Sequence, residues 1–302
     1  MIKDPKPRSK SKPPWRFQIK QILATVSPGV LWILILFIIP SITLLSYSFL
    51  TRNRLGQVEL PWTLKNYRTF FGQTVLGYDP LYMQILLKTV LLALGVTVLC
   101  ILIGYPLAFF ISRSKRKNLW LTLVIIPFWT NFLIRTYAWM LILGSAGPVA
   151  AFLQVFGFPA DTSLFPSLGA VFVAMVYAHV PFFILPVYSS VEKIDWRLVE
   201  AASDLGANPV RAFFSVIVPQ TSAGIIAGIM LVFIPALGNF ITPDLLGGSK
   251  QALIGNVIQQ QFGPARNWAF GSAISFIVLA FVLLALYLYA RSAGEEGMEV
   301  LG

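Results

Sequence analysis

The side chains that could do chemistry are few, and most lie inside apolar stretches. Trp129 and Asn131 fall in Pro127-Phe128-Trp129-Thr130-Asn131. An indole offers its face to a cation, and a carboxamide can hydrogen-bond an amine. Tyr177, in Tyr177-Ala178-His179-Val180-Pro181, joins them as a candidate for a solute path. Asn239 and Asp244 sit at the end of a later apolar run, where Asp244 could bind a cation or cap a turn. Arg135 could meet an anion, or its long stem could carry its charge to the membrane surface. His179 is the single histidine, and a packed, hydrogen-bonded ring is its expected role. This chemistry recognises a small solute; it does not break bonds. The chain has no G-x-x-x-x-G-K-[ST] phosphate loop, and Gly247-Gly248-Ser249-Lys250 has the wrong order. It has no G-x-S-x-G, no H-E-x-x-H and no pair of carboxylates within one apolar run. One cysteine, Cys100, and one histidine exclude an internal disulfide and a zinc or iron cluster. We expect no catalytic residues, no metal and no cofactor of the chain's own.

A second kind of chemistry is docking, and residues 191–219 suit it. Asp195 is placed to cap a helix from Trp196. Leu198, Ala201, Ala202 and Leu205 then share one apolar stripe, with Arg197, Glu200 and Asp204 elsewhere. Gly206 stands where a left-handed cap is wanted. Asn208-Pro209 starts a second helix, as cap and first residue, and Pro219 is expected to close it. A DNA-reading helix–turn–helix is excluded by the lack of a basic face and by tethering at both ends.

The elements that position these residues are membrane spans. The chain has 302 residues, 57% hydrophobic and 12% charged, with a mean hydropathy of +0.75. That composition belongs to a multi-spanning membrane protein. The net charge of +11 is gathered largely beside spans, which sets orientation and does not indicate nucleic acid. The predicted spans are 28–50, 84–111, 119–143, 167–190, 220–243 and 268–290. The second is expected to break at Gly104 and Pro106. Arg135 comes about 24 Å along the third at the helical rise per residue. Gly224 and Gly228 form a small-xxx-small pair in the fifth. Residues 1–26 form a basic tail, with an amphipathic helix over Trp15–Leu23 expected on membrane lipid. The transmembrane region is 27–290, and 291–302 is a second short tail. The cluster Arg113-Ser114-Lys115-Arg116-Lys117 places that turn, the 191–219 loop and both termini inside.

Glu200-Ala201-Ala202, three residues, Gly206, nine residues and Val216-Ile217-Val218-Pro219 resemble the EAA loop of ABC-importer permeases. Val216 and Val218 depart from that pattern conservatively. Leu64-Lys65-Asn66-Tyr67, Gly104-Tyr105-Pro106, Ile126-Pro127-Phe128-Trp129-Thr130-Asn131 and Leu253-Ile254-Gly255-Asn256 are similar to the B-type spermidine/putrescine permease family. The resemblance covers roughly 28–290. It implies an all-α permease of six transmembrane helices in a bacterial inner membrane, with the type I ABC-importer fold. It implies coupling through Glu200, Ala201, Ala202, Gly206 and Pro219 to ATP-binding subunits that hold the ATP. It also implies a second, related permease and an external substrate-binding protein. The spans hold almost no carboxylates, which fits a polyamine cation poorly. An importer for an iron chelate, thiamine or an organic anion stays open, as does a membrane scaffold without a solute.

Overall fold

The computed structural model describes residues 25–74, 77–159, 163–248 and 251–299. The basic tail with its Trp15–Leu23 segment, and Asp161 in the loop before the fourth span, lie outside them. Among the described residues, six stretches are helical, long and apolar enough to cross a bilayer: Thr25–Ser48, Leu81–Arg113, Phe132–Val155 (interrupted by a turn at 144–147), Leu168–Val191, Pro209–Gly238 and Trp268–Tyr287. In chain order the helices are α1 (Thr25–Ser48), α2 (Lys65–Phe70), α3 (Leu81–Arg113) and α4 (Lys117–Trp129, ending in a 3-10 turn from Ile126). There follow α5 (Phe132–Leu143), α6 (Pro148–Val155), α7 (Leu168–Val191), α8 (Trp196–Asp204) and α9 (Pro209–Gly238). The last are α10 (Ile241–Leu246), α11 (Ile254–Phe262) and α12 (Trp268–Glu299), which runs past the expected end of the sixth span at 290.

The centre is a seam of α3, α7 and α9. Phe183 of α7 is fully buried and slots between two glycines. A Cβ on Gly104 of α3 would lie 2.7 Å from its ring, and one on Gly228 of α9 also 2.7 Å. A Cβ on Gly224 would collide with the Ser190 side chain and the Pro186 carbonyl of α7. The small-xxx-small pair is therefore a contact face, as its spacing predicts. Gly104 does not break α3, nor does Pro106; the helix continues through both to Arg113. The missing Cβ at 104 is used for packing, which no hydropathy pattern reveals. Cys100, fully buried beside the Val176 carbonyl, belongs to the same seam.

Two other boundaries differ from expectation, and proline explains both. The third predicted span, 119–143, is two helices. Pro127 is the second residue of the 3-10 turn, residues 130–131 leave helical geometry, and the Asn131 side chain accepts from the Leu133 N–H to cap α5. Pro219 does not close a short helix. It lies inside α9, just after a π-turn at Phe213–Ile217. A proline ring in regular α-geometry collides with the carbonyl four residues back. The wider turn relieves that crowding and lets the helix go on.

At one end of the bundle, short pieces brace the spans. Strands β1 (Thr51–Arg52) and β2 (Val58–Glu59) pair antiparallel, as do β3 (Gln73–Thr74) and β4 (Gly77–Tyr78). Asn66 of α2 donates to the Ser48 and Leu50 carbonyls, tying α2 to the end of α1. Asn256 of α11 accepts from the Leu253 N–H and donates to the Phe240 carbonyl, 2.8 Å away. Thr89 of α3 accepts from the Ile254 N–H at 2.9 Å. The Asn256 bond ties α11 to the junction between α9 and α10, and the Thr89 bond ties it to α3.

Candidate functional site

The 191–219 loop folds as its sequence dictates. The Asp195 carboxylate accepts from the Arg197 N–H at 3.0 Å, and the Asn208 side-chain oxygen from the Arg211 N–H at 2.8 Å. Gly206 takes φ +85°, a conformation that costs a side chain about 1–2 kcal/mol. The Ala207 N–H then reaches the Ala202 carbonyl and the Gly206 N–H the Ser203 carbonyl, closing a Schellman motif. The backbone of α8 is thus complete by itself.

Its side chains are not. The predicted stripe faces away from the bundle: Leu205 is 90% exposed and Leu198 52%; Val210, at the start of α9 and not part of the predicted stripe, is 65% exposed. Glu200, Ala201 and Gly206 are exposed as well, and Ala202 is half-buried. The opposite face, Trp196 and Val199, packs on the core with buried Ile194 just before it. A row of bare aliphatic groups thus stands on a fully capped helix, uncovered by the rest of the chain's described residues.

A clamp holds α8 to α3. The Arg113 guanidinium lies 4.0 Å from the centre of the Trp196 ring and 5.8 Å from that of Phe109. Phe109 and Trp196 also meet edge to face at 5.9 Å. The Asp195 N–H donates to the Gln220 side chain of α9 at 3.1 Å. Lys117 pairs with Glu192 next to this point. Hydrogen bonding and charge from Lys117 hold the Glu192 carboxyl below the usual carboxylate range. Arg113 was legible only as one cation of a cluster, and Gln220 and Phe109 carried no motif. The spacing of Phe109 and Arg113, one helical turn apart, was the available signal.

The candidate path residues divide. Asn239, with Arg135 and His179, lines a cavity of about 300 Å³ bounded by Phe128, Phe132 and Phe182. Asn239 hydrogen-bonds Thr242 through both ends of its carboxamide and so caps α10. Trp129, 84% exposed, and Asn131 lie on the break between α4 and α5, outside that cavity's lining. Tyr177, 41% exposed, meets Trp139 edge to face. Asp244 is exposed in the first turn of α10. His179 is buried, its Nδ1 2.7 Å from the Met175 carbonyl, so it is the packed ring its sequence position suggests. Among the described residues no cluster of three or more metal-ligating side chains occurs.

The family described as "Binding-protein-dependent transport system inner membrane component" matches residues 100–293. The chain is 42% identical over 264 residues to the spermidine/putrescine transport system permease protein PotB of Haemophilus influenzae, covering 86% of this chain and 90% of that one. It is 40% identical over 267 residues to PotB of Escherichia coli K12, covering 87% and 94%. It is 32% identical to the inner membrane ABC transporter permease protein YdcU of Escherichia coli K12, over 86% and 85%. A crystal structure of a bacterial ABC transporter that imports the acidic polysaccharide alginate shares the fold, with a TM-score of 0.63 at 19% identity over 91% of this chain and 95% of that one.

Proposed function

The chain belongs to the family of binding-protein-dependent transport inner-membrane components, and we propose that it is the permease subunit of an ATP-driven importer of polyamines. The polyamine assignment is supported by the identity to the two PotB proteins along nearly the whole transmembrane region. The coupling assignment rests on the exposed stripe Leu198, Leu205 and Val210 on a capped helix. That stripe would enter a groove on an ATP-binding subunit, with Glu200, Ala201, Ala202 and Gly206 at the contact. The basic end of the bundle, Arg113–Lys117 and the 191–219 loop, faces the cytoplasm by its charge. A second permease completes the path, and an external binding protein delivers the solute to the end carrying α2 and α11. When the ATP-binding subunits close, α8 moves. The Arg113–Trp196 clamp passes the motion to α3, and Gln220 and the continuous α9 pass it to the central seam.

The sparse carboxylates of the spans assign polyamine selectivity mainly to the binding protein and the second permease. The test is labelled spermidine and putrescine uptake in cells lacking this chain, complemented by wild type or Glu200→Ala. Rescue by wild type and at least tenfold loss in the variant supports both assignments. Unchanged polyamine uptake on deletion removes the solute assignment. Full rescue by Glu200→Ala removes Glu200 from the coupling contact.

A further inference from the structure

An importer of cations with an arginine in its membrane cavity presents a conflict, and the surroundings of Arg135 resolve it. The guanidinium carbon is 4.9 Å from the centre of the Phe128 ring and 5.8 Å from that of Phe132. Both rings line the cavity that Arg135, His179 and Asn239 share. Among the described residues Arg135 has no carboxylate partner, and its Nε is buried without a hydrogen-bond acceptor. It is therefore seated on aromatic faces alone. A cation–π seat is among the weaker ways to hold a charge, and a buried N–H without an acceptor weakens it further. The same faces are what an alkylammonium group would use in a span that offers no acid.

The other polar groups also suit an ammonium. A carbonyl can only accept, so His179 carries a proton on Nδ1, toward Met175, and in its neutral form offers Nε2 as an acceptor. Asn239 presents a carboxamide oxygen whose single bond to the Thr242 N–H leaves one lone pair.

We propose that Arg135 is a tethered competitor: in this conformation it fills the Phe128–Phe132 seat, and a polyamine ammonium takes that seat only when the guanidinium swings off it. The inference rests on the polyamine reading. It gives the cavity two exclusive occupants of like charge, so that the solute cannot lodge there and is passed on.

The test uses the purified complex with its ATP-binding subunits, arrested with ATP and vanadate and supplied with binding protein loaded with labelled spermidine. The spermidine retained per complex is measured. Arg135→Gln should raise retention roughly tenfold, because a like charge a few ångströms away is gone. Arg135→Lys keeps the charge and should behave as wild type. Equal retention in wild type, Arg135→Gln and Arg135→Lys overturns the inference, as does lower retention in Arg135→Gln. Should Arg135→Gln fail to assemble, Arg135→Met decides: it also removes the charge and should raise retention severalfold, and unchanged retention overturns the inference. Wild-type uptake of spermidine is measured in parallel. Its absence overturns the polyamine reading and this inference with it, whereas normal uptake with unaltered retention in the variants overturns only the inference.

Discussion

The seam around Phe183 and the helix α8 meet opposite requirements. In the seam, backbone and side chains are both finished. Phe183 fills the space left by Gly104 and Gly228, and nothing from another chain is needed there. In α8 the backbone is finished, with Asp195 at one end and the Gly206 motif at the other, but Leu198 and Leu205 stand bare. On the proposed coupling, the difference separates what must persist through a transport cycle from what must be left for a partner. A helix this short would not hold its shape by propensity alone. Its caps and the Arg113–Trp196 clamp do that, and so leave its apolar face free.

Substitutions can break this contrast from either side. The largest effect is expected at the seam. Gly228→Leu drives a side chain into Phe183, and overpacking of a tight interior costs about 1–3 kcal/mol or more. We expect little or no folded permease, measured by yield and thermal melting in detergent. Next comes the bare stripe. Leu205→Asp should weaken association with the ATP-binding subunit by tenfold or more while the isolated permease melts as wild type. Equal melting with normal association would remove Leu205 from the docking face. The clamp tests whether the two regions are linked. Trp196→Ala should lower uptake severalfold while ATP hydrolysis by the complex continues, and Trp196→Phe should restore part of it. Loss of both activities together would make Trp196 a folding residue only.

The smallest effect concerns Lys117 and Glu192. A carboxyl whose folded-state affinity for protons is lowered adds stability above the ordinary carboxylate range and loses it as pH falls from that range through the lower folded-state value. The pair is exposed, so Glu192→Gln should shift melting barely at neutral pH and not at all in acid.

What the sequence made legible follows from how local each cause is. The apolar runs marked the spans because bilayer thickness sets their length. Asp195, Gly206 and Asn208 marked the loop because caps act within a turn of themselves. The stripe Leu198, Ala201 and Leu205 was visible as a period, and its outward direction was not, because that depends on where Trp196 lands. Pro219 suggested an end to a helix, since the π-turn that accommodates it has no sequence signature. The cavity around Arg135 drew Phe128, Phe182 and Asn239 from separate spans, and no spacing rule joins them. Gly104 looked like a weak point in α3 because its use lies in another helix.

One feature of α9 has a mechanical meaning. Its 30 residues run from Pro209, beside the exposed Val210, to Gly238 at the edge of the Arg135 cavity. At the helical rise per residue that is a lever of about 45 Å. Its fulcrum is the Phe183 contact at Gly228, with Gly224 bearing on Ser190 one turn away. In the proposed coupling, a push on the long arm reaches the short one without a loop between to absorb it. The lever's regular geometry yields at two points: the π-turn at Phe213–Ile217 on the long arm, and Pro235 on the short one, where a ladder hydrogen bond is missing beside the cavity.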